Sequence, residues 1–236
     1  MVQMFLQTTA NSYRLRVLNK INFFNFVFEL CFKQGFTFCK GDFMKLLKEK
    51  IISDGKAIGN NIIKVDSFLN HQIDINILKE IGKEFYSRFK NEDITKILTI
   101  EASGISIASI TALYFDVPVV FAKKTKSLNL DEEVYSQKVF SYTKNRFYDI
   151  KVSKNYLNKE DNVLIIDDFL ARGQAALGLY NLVRESCGTV KGIGIVIEKG
   201  FQDGGNLIRE KGIRLESLAV VKKIDDGKII FQKNGG

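Results

Sequence analysis

From Met44 onward the chain switches between two hydrophobic periods, and the switching predicts a layered α/β protein. Lys45–Ile52 has the spacing of a short amphipathic helix, and Ile62–Val65 reads as a short strand. Ile77, Leu78, Ile81, Phe85 and Phe89 recur every three or four residues, which predicts a helix over Ile75–Phe89 with one buried face. Runs that are apolar from end to end follow at Ile97–Ile100, Val119–Ala122, Val163–Ile166 and Val190–Ile197. Helical spacing over Ile105–Tyr114 and Gln174–Ser186 separates them, and Gly188 closes the second helix. Strands of this kind, alternating with helices, predict a parallel sheet covered on both faces. Between Lys123 and Asp161 the chain is polar and less periodic, the pattern of a mobile flap or a hairpin. Gly192 and Gly194 fall inside the fourth strand. No third glycine opens a helix behind them, so they are not a dinucleotide fingerprint.

Residues 1–43 are different in kind. They hold nine of the 19 phenylalanines and two of the 3 cysteines, and Ile21–Phe32 keeps neither a helical nor a strand period. Asn25 and Glu29 interrupt the apolar run that a signal peptide requires, and no helix-turn-helix pattern is present. Lys40-Gly41-Asp42-Phe43-Met44 is encodable as AAA GGA GAT TTT ATG, which places a purine-rich GGAG at ribosome-binding distance from an ATG. The excess of Phe, Asn, Lys and Ile is also what AT-rich DNA yields on translation. The expectation is a translated leader over 1–43 and a single folded domain over 44–236.

Composition narrows the classes. The chain has 236 residues, 45% hydrophobic and 26% charged, which is enough for a sizeable core. It has no apolar run of about eighteen residues, the length a membrane-spanning helix needs. Cys31, Cys39 and Cys187 are too scattered for a disulfide framework or a zinc site, which favours a reducing, cytoplasmic setting. The net charge of +8 comes from lysines spread along the chain rather than from one basic patch, so it reads as solvated surface and not as a nucleic-acid footprint.

The stretch with chemistry is Val163–Ala176, VLIIDDFLARGQAA. An apolar strand ends in Asp167 and Asp168, a short turn leads to Gly173, and a helix begins. Ligands of open α/β sheets bind at the carboxyl ends of strands. The unpaired amides of Ala171–Ala175 at a helix N-terminus are suited to a phosphate, with Gly173 permitting close approach. Carboxylates just before such a cradle suit sugar hydroxyls or water around Mg²⁺. By itself an Asp-Asp pair after a strand is also compatible with a simple turn and an N-cap.

Four apolar residues, two acids and a small-residue turn into a helix resemble the signature of the type I phosphoribosyltransferases. KVDSFLNHQ (Lys64–Gln72), VLIIDDFLA (Val163–Ala171) and GIGIVIEK (Gly192–Lys199) look like the bacterial xanthine phosphoribosyltransferases, and the likeness runs from Met44 to Phe231. The resemblance implies a type I phosphoribosyltransferase-like fold: a twisted parallel sheet flanked by helices, with a small hood and a flexible loop. It implies a homodimeric cytoplasmic salvage enzyme that makes xanthosine 5′-monophosphate from xanthine and phosphoribosyl pyrophosphate, with Mg²⁺ accompanying the donor and no nucleic-acid or membrane partner. It assigns Ala171, Arg172, Gly173, Gln174 and Ala175 to the 5′-phosphate and Ile63, Asn70 and Lys199 to the purine. The family usually carries asparagine where this chain has Arg172. That guanidinium either tightens phosphate binding or disturbs the turn.

Cleavage between the sugar C1 and pyrophosphate passes through an oxocarbenium-like ribose. Asp167 and Asp168 are the expected catalytic pair, with Asp168 ordering the ribose. The turn Glu101-Ala102-Ser103-Gly104 is assigned to pyrophosphate, with Ser103 facing the leaving group. Lys123, Lys124 and Lys126 stand ready to cover it. His71, the only histidine, is expected to make a loop contact rather than to act as a base. Xanthine carries carbonyls at positions 2 and 6, so a pocket of donors built from Lys199 and the Asn70 amide selects it over guanine. Two other functions share this pattern: a guanine or hypoxanthine phosphoribosyltransferase, and a non-catalytic regulator that senses phosphoribosyl pyrophosphate.

Overall fold

A computed structural model of the chain describes residues 40–124, 133–142 and 145–232. Helix α1 spans Lys40–Asp54, longer than its periodicity predicts, and turns Phe43, Met44, Leu47 and Ile51 into the core. A small hairpin follows, β1 Lys56–Ile58 paired antiparallel with β2 Ile62–Lys64, and then a π-helical turn over Asp66–Asn70. Helix α2 spans Ile75–Phe89, the bounds its periodicity predicts. Its start is set by Asp74, whose carboxylate accepts from the amides of Asn76 and Ile77 at 3.0 and 3.3 Å, a cap contributing about 1 kcal/mol.

Strand β3 (Lys96–Ile100), helix α3 (Ser103–Phe115) and strand β4 (Val119–Ala122) form the first parallel unit. Asp116 ends α3 in a left-handed conformation and Pro118 prevents its resumption. The polar region contains a hairpin of two eight-residue strands, β5 Val134–Ser141 and β6 Arg146–Ser153, while residues 125–132 and 143–144 of it lie outside the described residues. Strand β7 (Asn162–Leu170), helix α4 (Gln174–Glu185) and strand β8 (Thr189–Lys199) form the second unit. The chain closes with α5 (Gly204–Glu210), β9 (Leu215–Asp225) and β10 (Lys228–Phe231), whose short periods and mixed polarity hid them in the sequence.

The main sheet has the order β10-β9-β8-β7-β3-β4. It is parallel as expected from β4 to β9, and β10 adds an antiparallel edge through a tight turn at Asp226-Gly227. Phe68, Phe85, Phe89 and Ile107 fill one face, and Val139, Ile150, Leu179 and Leu182 fill the other. Gly192 and Gly194 have a packing role: a Cβ there would sit 2.4 and 2.8 Å from the rings of Phe89 and Phe85, so their absence lets α2 close on β8. Among the described residues no helix is long and apolar enough to cross a membrane.

Candidate active site

The carboxyl ends of β7 and β8 meet at one cleft of about 640 Å³, whose lining includes Ala171–Ala176, Lys199, Phe169, Tyr148 and Tyr142. Its floor is the three-residue turn between β7 and α4. Gly173 sits there at φ 78° and ψ −2°, a left-handed conformation for which glycine pays no Cβ penalty. Gly173 is also the N-cap of α4 and offers no side-chain acceptor, so the first amides of the helix are left for a ligand. Asp167 and Asp168 cap nothing. The strand runs two residues beyond them before the turn begins.

The ladder between β7 and β8 runs through the two acids in register, with Asp167 opposite Ile195 and Phe169 opposite Ile197. The local amides are taken by the acids themselves: Asp168 N donates to Asp167 Oδ1 at 3.0 Å and Phe169 N to Asp168 Oδ1 at 2.9 Å. Both side chains are buried. Burial, reinforced by the neighbouring Asp168 charge, holds the Asp167 carboxyl well above the usual carboxylate range. Burial also pushes the Tyr148 phenol up, with the Asp167 charge adding to it.

The turn after β3 lies one strand away. Its Glu101–Ala102 peptide is cis, and Ser103 opens α3 with no side-chain cap on the preceding residue. Glu101 Oε1 accepts from the Lys124 amide at 2.5 Å, which ties this turn to the end of β4. Beneath it Thr99 Oγ1 is buried with no hydrogen-bond partner among the described residues.

At the other end of the cleft Lys199 is half-buried. Its Nζ donates to the Asn61 carbonyl at 2.8 Å and lies 5.7 Å from the centre of the Phe169 ring. Burial pushes its ammonium below the usual lysine range. An anion cradle and a donor-only side chain against an aromatic ring thus line one cavity, while the two buried acids lie on the strand that leads into it and outside its lining. The phosphoribosyl transferase domain model matches residues 64–201, which includes every one of these groups except Asn61. The chain belongs to the phosphoribosyltransferase family.

The curated relatives point the same way. A xanthine phosphoribosyltransferase of Clostridium novyi is 61% identical over 80% of this chain and 100% of its own length. One from Ruminiclostridium cellulolyticum is 60% identical over 80% of this chain and 99% of its own. Among solved structures, an adenine phosphoribosyltransferase from Giardia lamblia complexed with 9-deazaadenine superposes with a TM-score of 0.61 at 25% identity, covering 78% of this chain and 98% of that one. The fold is that of the type I phosphoribosyltransferases.

Of the residues assigned by the resemblance and the motif, the cleft lining includes Ala171–Ala175 and Lys199, and Asp167, Asp168 and Ser103 lie outside it. Ile63 and Asn70 are not in its lining. Ile63 is turned into the core at 6% exposure, and its neighbours Asn61 and Ile62 take the cleft positions. Asn70 and His71 are exposed at the end of the π-helical turn, and Ser103 is half-buried at the start of α3. Lys126 falls outside the described residues. Sequence reasoning missed Phe169, Tyr148, Tyr142, Phe201 and Gln202, which also line the cleft. Phe169 carried a usable signal, since it follows the two acids directly. The hairpin tyrosines carried none, because their region is polar and aperiodic. Arg172 stacks on Tyr142, with its guanidinium carbon 4.3 Å from the ring centre.

Proposed function

We propose that this protein transfers the phosphoribosyl group of 5-phosphoribosyl 1-pyrophosphate to xanthine, giving xanthosine 5′-monophosphate and pyrophosphate in purine salvage. The observation that carries the reading is the shared cavity: a left-handed Gly173 cradle at one end and Lys199 over Phe169 at the other. In this reading the amides of Ala171–Ala175 hold the 5′-phosphate and Asp168 orders the ribose hydroxyls. Asp167, whose carboxyl burial pushes upward, is the second acid of the pair. The Ser103 turn receives the leaving pyrophosphate, and Lys124 stands beside it through its amide bond to Glu101. Holding base and sugar in line is what the cleft contributes. Lys199 supplies the donor that a xanthine carbonyl needs.

Mg²⁺ fits this site as a companion of the donor. The described residues include no cluster of three or more metal-ligating side chains, and Mg²⁺ is commonly held by one or two carboxylates together with substrate oxygens. Asp168 is the carboxylate this reading assigns to the ion, which would neutralise the departing pyrophosphate. The enzyme is further proposed to be a cytoplasmic homodimer, which a sedimentation measurement tests. The leader reading also stands as a proposal. Phe43 counts against its boundary, since it lies in α1 and is buried in the core, and a native intact mass that includes residues 2–43 would sink the reading.

The deciding assay is pyrophosphate release with donor, Mg²⁺ and each purine in turn. Release is expected with xanthine, more slowly with guanine, and barely with adenine. Equal rates on guanine and xanthine would move the specificity to another purine, and nucleic-acid retention without turnover would make the protein a regulator.

A further inference from the structure

The helix that follows the purine-side strand is wedged between two glycine contacts. Helix α5 has seven residues, Gly204–Glu210, too short to hold its place through helix propensity. Its first residue lies backbone against backbone on the phosphate turn: Gly204 N donates to the Ala171 carbonyl at 3.1 Å. A Cβ on Gly204 would stand 2.4 Å from that oxygen and 2.5 Å from Gly173 N. The next residue faces a charged pair instead. A Cβ on Gly205 would stand 2.0 Å from Glu198 Oε1 and 2.6 Å from Arg209 Nη1.

That pair is built with care for geometry. Glu198 lies in β8 beside Lys199, yet its carboxylate is buried at 4% exposure. It accepts from both ends of the Arg209 guanidinium, at 2.9 Å from Nη1 and 2.8 Å from Nη2, and from Ser217 Oγ of β9 at 2.5 Å. Arg209 reaches in from a half-exposed position in the last turn of α5, whose buried apolar anchor is Ile208. Buried ion pairs contribute little net stability, because desolvation offsets their attraction, but a bidentate fork fixes direction and distance. Without the fork, α5 keeps the Gly204–Ala171 bond and the buried Ile208, neither of which fixes direction and distance as two parallel bonds to a buried carboxylate do.

We infer that Glu198 and Arg209 are positioning residues for the donor: their fork sets where Gly204 meets Ala171–Gly173 and so holds the phosphate cradle in its binding shape. The inference rests on the reading of that cradle as the phosphate site. Neither residue touches the cleft; both act through α5. Arg209→Lys keeps the charge and loses the fork, whereas Ile208→Val loosens the same helix without touching the pair.

The experiment measures, for wild type and both variants, the KM for phosphoribosyl pyrophosphate, the kcat, the inhibition constant of ribose 5-phosphate and the melting temperature. Arg209→Lys is expected to raise the donor KM and the ribose 5-phosphate constant together, by at least about tenfold, with kcat within about twofold. Ile208→Val is expected to lower the melting temperature and leave both constants in place. Unchanged constants in Arg209→Lys, or an equal rise in Ile208→Val, would overturn the inference. Should Arg209→Lys not fold, Glu198→Gln, which keeps the shape and the Ser217 contact, is read by the same two criteria. Absence of wild-type turnover with this donor would instead count against the proposed function itself.

Discussion

Replacing Gly173 by alanine tests the cradle at its most constrained atom. At φ 78° and ψ −2° the backbone is left-handed, where an alanine Cβ costs about 1–2 kcal/mol. The new methyl would also stand 3.2 Å from Gly204 Cα, and Gly204 is pinned by its own bond to the Ala171 carbonyl. Two outcomes divide that cost. If the turn keeps its shape, the folded state bears it, and a chain of this length loses about 2–8 °C in melting temperature while the donor KM stays near wild type. If the turn relaxes to negative φ, stability is spared and phosphate binding must restore the strained shape, raising the donor KM by up to about thirtyfold. The two effects trade against each other, and their sum is fixed by the backbone. Initial rates at varied phosphoribosyl pyrophosphate, together with calorimetry, measure both. Neither quantity moving, or a change confined to the xanthine KM, would refute the assignment of this turn to the sugar phosphate.

Three further perturbations follow from the same geometry. Thr99→Val removes a buried hydroxyl without a partner, so it is expected to stabilise by about 1 kcal/mol, and a fall in melting temperature would show that the hydroxyl is used. Lys199→Met deletes a charged donor and is expected to lower kcat/KM for xanthine by about tenfold to a hundredfold. Because burial lowers the Lys199 pKa, the protonated donor is present at low pH and is lost as pH rises through a value below the usual lysine range. The kcat/KM for xanthine of wild type therefore falls on the alkaline side where that of Lys199→Arg does not, and parallel profiles would contradict this. Arg172→Ala removes the stack on Tyr142, a contact of about 0.5–1 kcal/mol, so limited proteolysis in the β5–β6 hairpin should speed up by about two- to fivefold. An unchanged cleavage rate means the stack does not hold the hairpin.

What the sequence made legible, and what it hid, divides along a physical line. Burial on both faces writes itself into composition, so β3, β7 and β8 were readable as apolar runs, and the 3.6-residue stripe gave α2 its ends; β4 was apolar too, though it is an edge strand with Phe121 exposed. The phosphate turn was readable because only a few residue types tolerate its backbone and its neighbours. The last two strands carry no such signature: the edge strand β10 has one face in water, and β9 beside it alternates irregularly. The purine end of the cleft was hardest for a related reason. Its walls come from Asn61 and Ile62 in a three-residue hairpin strand and its turn, and from tyrosines on β6 and at the end of β5. These residues are brought together by chain crossings far apart in sequence, and each alone looks like ordinary surface. In the proposed reading, selectivity for a base resides in the part of the molecule where local pattern says least. The same holds for Glu198, which reads as one more acid at a strand end until Gly205 reveals that a side chain there would collide with its carboxylate. A glycine pair opening a short helix is therefore informative: it marks a place where backbone must approach both a ligand loop and a buried charge.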